Sequence, residues 1–301
     1  MELGMVGLGR MGANMTMRLL RRGHAVVVFD SQEEAAGPLV AEGARRAAAL
    51  ADLVQMLETP RTIWLMVPAG QATAETVEAL SVLMQPGDCI VDGGNSHYKE
   101  SIQHARSLAS RDIAWMDVGT SGGIWGLEEG YCLSVGGDAR AFERMEEIFK
   151  SLAPATDRGY AYVGDAGAGH FVKMVHNGIE YGLLEAYAEG FDLLKQGPYP
   201  LDLEGVAGLW NQGAVIRSWI LELAERALSR SSDLADIAPE VEGGETGRWA
   251  LQAALENEVP YDITASALFK RYGSRRDSFA LRLVAALRGE FGGHAVNKSL
   301  P

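Results

Sequence analysis

Residues 4–15, GMVGLGRMGANM, place three glycines in G-x-G-x-x-G spacing. An apolar run at 3–7 overlaps the start of this stretch, and a helical pattern follows from residue 11 to residue 22. Glycines at this spacing let the backbone turn tightly and approach a pyrophosphate, which then lies at the helix N-terminus. Strand, turn and helix in this order predict a dinucleotide-binding βαβ unit. The predicted cofactor contacts of the loop are Gly7, Leu8, Gly9, Arg10, Met11 and Gly12.

The acid that ends the next apolar run predicts which dinucleotide is bound. Asp30 follows the run at 25–29 and lies 18 residues after the last glycine of the loop. A carboxylate at this position accepts hydrogen bonds from the adenosine ribose and repels a 2′-phosphate. The SQEE that follows contains no arginine to hold such a phosphate. The sequence therefore predicts NAD rather than NADP.

Two later turns are candidates for further cofactor contacts. MVPAG at 66–70 and DGGN at 92–95 each follow an apolar run, where the carboxyl ends of parallel strands bind ligands. Ordinary turn chemistry explains either stretch equally well on its own. The additional predicted contacts are Val67, Pro68, Ala69 and Asn95.

The pattern of the whole chain predicts two domains. The first half alternates apolar runs with helical stretches, which is typical of a mostly parallel sheet with crossover helices. After the glycine-rich connector at 163–170 the patterns are helical throughout. We expect a Rossmann-type α/β domain at 1–163 and an all-α domain at 164–301. The predicted strands cover 3–7, 25–29, 62–67, 88–92, 113–118 and 132–137. The predicted helices of the second half cover 170–195, 201–230, 247–256, 262–271 and 277–288.

Composition limits the classes of function. The net charge of −13 disfavours nucleic acid or an anionic membrane as the main partner. Two cysteines, Cys89 and Cys132, make a disulfide framework or a cysteine metal site improbable. No apolar run is long enough to span a bilayer, and the first motif begins too early for a signal peptide. We therefore expect a cytoplasmic protein.

The stretch KMVHNGIEY, residues 173–181, carries the candidate chemistry. Lys173, His176, Asn177, Glu180 and Tyr181 lie at i, i+3, i+4, i+7 and i+8, so a helix places all five on one face. A solvent-exposed polar face is the alternative interpretation. The apolar residues on both sides favour a buried helix, and a buried stripe of five different polar groups indicates a site.

Several motifs occur in the order found in the 6-phosphogluconate dehydrogenase family. They are GLGRMGANM, MVPAG, DGGNS, GTSGG, GAGHFVKMVHNGIEY, GRW and FGGH, and they extend from Gly7 to His294. The chain thus resembles the short form of that family, within the wider β-hydroxyacid dehydrogenases. KMVHNGIEY and FGGH distinguish the phosphogluconate branch from the wider group.

The resemblance implies an oxidative decarboxylation of 6-phosphogluconate to ribulose 5-phosphate and CO₂ in the pentose phosphate pathway, with NAD as oxidant and no required metal. Lys173 corresponds to the general base, which later acts as an acid, and Glu180 to the acid that protonates C1. The residues implied in substrate binding are Asn95, Ser121, Gly122, Gly123, His176, Asn177, Tyr181, Arg248, Arg282, Arg288 and His294. Arg248 stands where many family members have lysine, which leaves its role open.

The C-terminal region is basic in an otherwise acidic chain. Seven lysines and arginines against two acids lie between Lys270 and Lys298. A solvated basic face and a site for a multiply charged anion both explain this charge, and the resemblance assigns part of it to the substrate phosphate. Arg271, Arg275 and Arg276 are interpreted as surface charges.

The remaining expectations concern the association of subunits and two alternative functions. The resemblance implies a homodimer or homotetramer in which Arg288 and His294 complete the site of the partner subunit. One alternative is a β-hydroxyacid dehydrogenase of the 3-hydroxyisobutyrate type, which would need neither residue. The other is a dinucleotide sensor or scaffold without turnover, which would have no use for the Lys173–Glu180 pair.

Overall fold

The computed structural model of the chain describes residues 1–275 and Leu283. Its first half forms one eight-stranded sheet in the order β3-β2-β1-β4-β5-β6-β7-β8. All neighbouring strands are parallel except β6 and β7, which are antiparallel. The strands are β1 Glu2–Val6, β2 Ala25–Phe29, β3 Arg45–Arg46, β4 Thr62–Leu65, β5 Cys89–Asp92, β6 Ala114–Ser121, β7 Cys132–Gly137 and β8 Tyr160–Gly164.

Helices connect the strands of the first half. The described part of the second half is helical, with connecting loops. The helices of the first half are α1 Arg10–Arg21, α2 Gly37–Ala41, α3 Leu50–Met56, α4 Gln71–Leu83, α5 Tyr98–Ala109, α6 Gly126–Glu129, α7 Ala139–Arg144 and α8 Glu146–Leu152. Those that follow are α9 Ala168–Gln196, α10 Leu203–Trp210, α11 Trp219–Arg230, α12 Glu245–Glu256 and α13 Asp262–Gly273. None of the helices in the described residues combines the length and apolarity that crossing a lipid bilayer requires.

The central strands are apolar on both sides because helices cover both faces of the sheet. Successive residues of β1 enter different apolar clusters: Met5 packs with Trp64 and Val91, whereas Val6 packs with Ile63 and others. Side chains alternate between the two faces of a strand, so a continuous apolar run supplies both clusters. This accounts for the near-continuous apolar runs of the sequence.

The predicted fold class, a mostly parallel α/β sheet followed by helices, is confirmed. All six predicted strands are present, with ends shifted by at most three residues. Two strands were not predicted. β3 has only two residues, and β8 alternates between exposed and half-buried side chains, so neither forms an apolar run.

The chain divides into two compact units, Met1–His176 and Asn177–Pro301. The predicted domain boundary lies at the end of β8, and α9 continues from the first unit into the second. The division at 163/164 stays a prediction. The predicted helix 201–230 consists of two helices, α10 and α11, and the predicted helix 277–288 lies outside the described residues apart from Leu283.

The expectation that α9 is buried on most sides is wrong. Large apolar side chains along it remain exposed, among them Phe171, Val172, Ile179, Leu183, Leu184 and Leu193. Composition does not indicate which neighbour, if any, covers each face of a helix. An apolar run alone therefore could not distinguish α9 from a core helix.

Candidate active site

The glycine loop between β1 and α1 has the backbone geometry that its spacing predicts. Gly7 has φ 92°, and a Cβ there would come within 2.5 Å of the Met66 carbonyl oxygen. A Cβ on Gly12 would collide with the Gly7 carbonyl oxygen, so α1 packs closely on the turn. Gly9, the N-cap of α1, has open space around its Cβ position. The N–H groups of the first helical turn therefore remain available to an anion, and the loop fits a dinucleotide pyrophosphate.

Asp30 lies at the carboxyl end of β2 and is hydrogen-bonded to the glycine loop. Its Oδ2 accepts a hydrogen bond from the backbone N–H of Leu8 at 2.6 Å, and its Oδ1 accepts one from the N–H of Gln32 at 2.8 Å. Each carboxylate oxygen can accept a further bond. Asp30 therefore holds Leu8 in place and retains acceptor capacity for ribose hydroxyls.

The two later turns meet at the same edge of the sheet. A Cβ on Gly94 would lie 2.6 Å from the Val67 carbonyl oxygen, so the turns after β4 and β5 are in close contact. Pro68 and Ala69 are exposed there. Asn95, at φ 56°, uses both ends of its amide: Nδ2 donates to the Thr120 carbonyl at 3.1 Å, and Oδ1 accepts from the Thr120 N–H at 2.9 Å. Asn95 thereby fixes the backbone immediately before Ser121.

The GTSGG stretch ends β6 in a turn that only glycine adopts readily. Ser121 pairs with Cys132 across the antiparallel β6–β7 ladder. Gly122 has φ 125° and Gly123 has φ 53°, both in the region that disfavours other residues. The chain bends sharply at the sheet edge, which leaves Ser121 and the two glycines partly or fully exposed beside the predicted dinucleotide site.

Lys173 is brought against β6 by a close crossing of backbones. The crossing is made by Gly119 of β6 and Gly169 of α9: a Cβ on Gly119 would lie 2.6 Å from the Gly169 carbonyl oxygen and collide with Cβ of Lys173. Ser134 of β7 donates from its hydroxyl to the same Gly169 carbonyl at 3.0 Å. Lys173 is only 9% exposed, and its Nζ lies 3.4 Å from Nδ1 of His176.

A buried carboxylate fixes the start of α9. Asp117, which is fully buried in β6, accepts hydrogen bonds from the backbone N–H groups of Gly167 at 2.6 Å and His170 at 2.8 Å. A carboxylate at a helix N-terminus satisfies unpaired donors and interacts favourably with the helix dipole. The position of Lys173, one turn further along, is therefore set by the sheet.

In the second unit, two of the predicted residues converge on one hydroxyl. Asn177 Nδ2 lies 3.4 Å from Oγ1 of Thr246, and the Tyr181 hydroxyl lies 3.3 Å from the same atom. Tyr181 is 9% exposed and packs against Gly247, where a Cβ would lie 2.5 Å from its ring. Glu180, between them on α9, is half-buried.

Arg271 was interpreted as a surface charge, but it lies over the ring of Tyr181. Its guanidinium carbon is 3.8 Å from the ring centroid, a cation–π distance, and one of its nitrogens donates to the Glu242 carbonyl. Arg248, in α12, is exposed. The predicted substrate residues Arg282, Arg288 and His294 lie outside the described residues.

Sequence reasoning missed three residues of this arrangement: Asp117, Thr246 and Arg271. Asp117 was part of a predicted strand, Thr246 adjoined the GRW motif, and Arg271 lay in a basic run. None has a local pattern that separates it from its neighbours, because each acquires its contacts through residues distant in sequence. Within residues 1–275, no group of three or more His, Cys, Asp or Glu side chains is arranged to hold a metal ion.

Comparison with protein families gives two matches that together cover most of the chain. The NAD-binding domain of 6-phosphogluconate dehydrogenase matches residues 2–164. The C-terminal domain of 6-phosphogluconate dehydrogenase matches residues 169–290.

Individual relatives cover the same extent. An NAD(+)-dependent, decarboxylating 6-phosphogluconate dehydrogenase from Haloferax volcanii is 48% identical over 298 residues, which is 98% of each chain. The solved 6-phosphogluconate dehydrogenase of Plasmodium falciparum superposes with a TM-score of 0.85 at 25% identity, covering all of this chain and 67% of that one. A 3-hydroxyisobutyrate dehydrogenase from Mycobacterium tuberculosis shares the fold, with a TM-score of 0.74 at 20% identity over 90% of this chain and 92% of that one.

Proposed function

This chain belongs to the 6-phosphogluconate dehydrogenase family, and from that membership we propose that it oxidatively decarboxylates 6-phosphogluconate with NAD, giving ribulose 5-phosphate and CO₂. The observation that carries the proposal is a buried Lys173 held against the carboxyl end of β6, in the unit that contains the dinucleotide loop. The full-length similarity to a relative named for NAD dependence and decarboxylation supports it. A role in the pentose phosphate pathway follows from this substrate and product.

The residues at the sheet edge fit NAD. The open space at Gly9 and the free N–H groups of α1 suit the pyrophosphate, and Asp30 supplies acceptors for the adenosine ribose. The further contacts that we propose are Leu8, Arg10, Met11, Val67, Pro68, Ala69 and Asn95. NAD bound there would supply the hydride acceptor for the oxidation at C3 of the substrate.

Lys173 acts as the base for the C3 hydroxyl. A neutral amine is required before the proton can be accepted, and burial disfavours the charged form. After oxidation, the resulting ammonium donates a hydrogen bond to the 3-keto oxygen. This withdraws electrons from the C1–C2 bond as it breaks and CO₂ leaves. His176, within 3.4 Å of the Lys173 amine, orients that amine and the neighbouring hydroxyl.

Glu180 delivers the proton that C1 of the enediol, formerly C2 of the substrate, receives after CO₂ has left. It lies seven residues after Lys173 on the continuous helix α9, which corresponds to about 10 Å along the axis. Asn177, hydrogen-bonded to Thr246, presents its amide to the substrate oxygens.

The two ends of the substrate are anionic and need different partners. Ser121, Gly122 and Gly123 offer a hydroxyl and backbone N–H groups to the C1 carboxylate. Tyr181, Thr246 and Arg271 form a contiguous group in the second unit that suits the phosphate, because a guanidinium binds phosphate through two hydrogen bonds. We propose that Arg248, Arg282, Arg288 and His294 add to this end.

The exposed apolar residues of the second unit support association of subunits. Large apolar side chains exposed on four of its helices include Ile179, Leu183, Leu193, Leu209, Leu255, Ile263 and Phe269. Such surface is characteristic of an interface rather than of a monomer. We propose a homodimer or homotetramer in which the C-terminal arginine and histidine enter the partner's site.

The test measures NADH formation and CO₂ release in the same reaction, with 6-phosphogluconate and no added metal. We expect Lys173→Met and Glu180→Gln each to lower kcat by roughly 10²–10⁴ while NADH binding persists, because each removes proton transfer but no cofactor contact. Lys195→Met, the same substitution at the end of the same helix, is the matched control and should retain wild-type kcat.

Two results would contradict the proposal. Unaltered turnover in Lys173→Met would exclude it as the base. NADH formation without CO₂, or turnover only with an unphosphorylated hydroxy acid, would move the function to the wider β-hydroxyacid dehydrogenases.

A further inference from the structure

The turn after Ser121 presents two large apolar side chains on the surface of the first unit. The 3-10 turn Gly123–Trp125 and helix α6 follow Gly122, and within them Ile124 is 52% exposed and Trp125 is 41% exposed. Exposed tryptophan is uncommon in a well-packed α/β unit, because its burial contributes more than that of any smaller side chain.

This exposure does not result from a loosely packed loop. Arg18, itself buried, donates from Nη1 to the carbonyls of Leu127 at 2.9 Å and Glu128 at 3.3 Å. A Cβ on Gly126 would collide with the ring of Tyr131, a fully buried side chain whose burial raises the pKa of its phenol to about 12. The backbone that follows Trp125 is thus fixed by the side chains of Arg18 and Tyr131.

The fixed loop lies beside the predicted dinucleotide loop. Asn14 of α1 donates from Nδ2 to the Ile124 carbonyl at 3.4 Å, and Asn14 is only five residues after Gly9, the N-cap that faces the pyrophosphate site. Five residues of helix span about 7.5 Å. Ile124, and Trp125 next to it, therefore lie close enough to the pyrophosphate site for a bound dinucleotide to reach them.

Strand order determines which half of the dinucleotide is near. The carboxyl end of β2, with Asp30, lies on one side of β1, whereas β4, β5 and β6 lie on the other side. A dinucleotide bound at this switch point would cross the sheet edge with its adenosine at the acid after β2. Its nicotinamide half would then extend toward β6, whose end leads into the turn that carries Trp125.

We propose that Trp125, supported by Ile124, contacts the nicotinamide ring of bound NAD and contributes to holding that half of the cofactor. The inference rests on the proposed NAD site. An indole face attracts a cationic ring electrostatically, and the nicotinamide of NAD⁺ carries a positive charge that NADH lacks. The contact accordingly favours the oxidised cofactor.

Calorimetric titration of purified variants with NAD⁺, NADH and ADP-ribose tests the contact without requiring turnover. ADP-ribose has the adenosine, the pyrophosphate and the second ribose but no nicotinamide. We expect Trp125→Ala to weaken NAD⁺ binding roughly tenfold, NADH binding less, and ADP-ribose binding not at all. Trp125→Phe, which keeps an aromatic ring, should lose less than the alanine variant.

Trp219→Ala is the matched control. Trp219 is 43% exposed, almost as much as Trp125, but lies in α11 of the second unit. The Trp219→Ala variant should bind all three ligands as the wild type does. Thermal unfolding of each variant shows whether the fold is retained, and Trp125→Phe provides the test if the alanine variant unfolds.

Each remaining outcome decides against a specific claim. Equal weakening of NAD⁺ and ADP-ribose would place the effect on the loop or the adenosine half and overturn the nicotinamide contact. Unchanged NAD⁺ binding in both Trp125 variants would overturn it as well. Failure of the wild type to bind any of the three ligands would instead overturn the proposed function on which the inference rests.

Discussion

Asp30 combines an observed contact with the glycine loop and a proposed contact with the adenosine ribose. The sequence pattern predicted a ribose-binding acid, and the structure adds a 2.6 Å hydrogen bond from the Leu8 N–H to its carboxylate. The same side chain therefore holds the glycine loop and is proposed to select against a 2′-phosphate. Any substitution of Asp30 is expected to change both cofactor affinity and cofactor preference.

We predict that Asp30→Asn weakens NAD binding by about tenfold or more, since hydrogen bonds to a charged acceptor are worth about 1.5–3 kcal/mol. NADP binding should weaken less, because the substitution removes the charge that repels its extra phosphate. Dissociation constants for both cofactors measure the ratio.

The neighbouring acid provides the control for this prediction. Glu33→Gln removes an equal charge three residues away, from an exposed ion pair with Arg46 at 2.7 Å. It should leave the ratio unchanged. An unchanged NAD/NADP ratio in Asp30→Asn would mean that another residue determines specificity.

Residues of the proposed substrate site differ in whether the sequence alone identifies them. Lys173, His176, Asn177, Glu180 and Tyr181 share one short motif whose helical spacing marks them together. Thr246 and Arg271, by contrast, reach Tyr181 from helices 65 and 90 residues away. A local pattern cannot record such contacts, so the stacking of Arg271 on Tyr181 was found only in the structure.

Among the elements, α9 depends on glycine to reach the sheet. Gly119, Gly136 and Gly169 let the helix backbone approach β6 and β7, with the nearest backbone atoms 2.2–2.6 Å from where Cβ atoms would stand. Asp117 then anchors the helix N-terminus through two backbone N–H groups. The sheet thereby sets where Lys173 lies.

This arrangement predicts the effect of one methyl group. Gly119→Ala should destabilise the fold by about 1–3 kcal/mol, because the new Cβ would collide with the Lys173 stem and the helix must shift. It should also lower kcat while NAD affinity persists, since the glycine loop is untouched. Urea unfolding and steady-state kinetics measure the two effects.

The control introduces the same methyl group where there is room for it. Gly190→Ala, in helix α9 with nothing within 4 Å of its Cβ position, should leave kcat unchanged and not destabilise the fold. If Gly119→Ala kept wild-type stability and kcat, the close crossing would not be what positions Lys173.

At the scale of the whole molecule, the site is expected to need a second subunit. The second unit exposes large apolar side chains, and Arg288 and His294, which the family resemblance assigns to the substrate, come after its described helices in the sequence. In a shared site, Lys173 and Glu180 come from one chain and Arg288 from its partner. Each chain then supplies part of two sites.

Complementation tests this arrangement. Co-expression of the inactive variants Lys173→Ala and Arg288→Ala should restore activity, because mixed dimers contain one site in which both residues are intact. Co-expression of Lys173→Ala with Glu180→Ala should restore none, since every mixed site then lacks one member of the pair. Recovery in neither mixture would place Arg288 in the site of its own chain.

The sequence by itself determined the class of fold, the dinucleotide loop and the family. G-x-G-x-x-G at the first strand, Asp30 after the second and the stripe at 173–181 depend on local backbone geometry and on spacing within single elements. Such features can be recognised from the sequence because the residues that act together are close in the chain.

Only the tertiary structure decided the order of the strands in the sheet, the antiparallel pairing of β7 with β6, and the presence of β3 and β8. The contacts of Asp117 and Arg271 also came only from the structure. It also showed that α9 is exposed along much of its length, contrary to its apolar composition. The physical reason is the same in each case. Pairing, burial and stacking depend on which distant segments meet, and their free energies arise from contacts that local sequence does not specify.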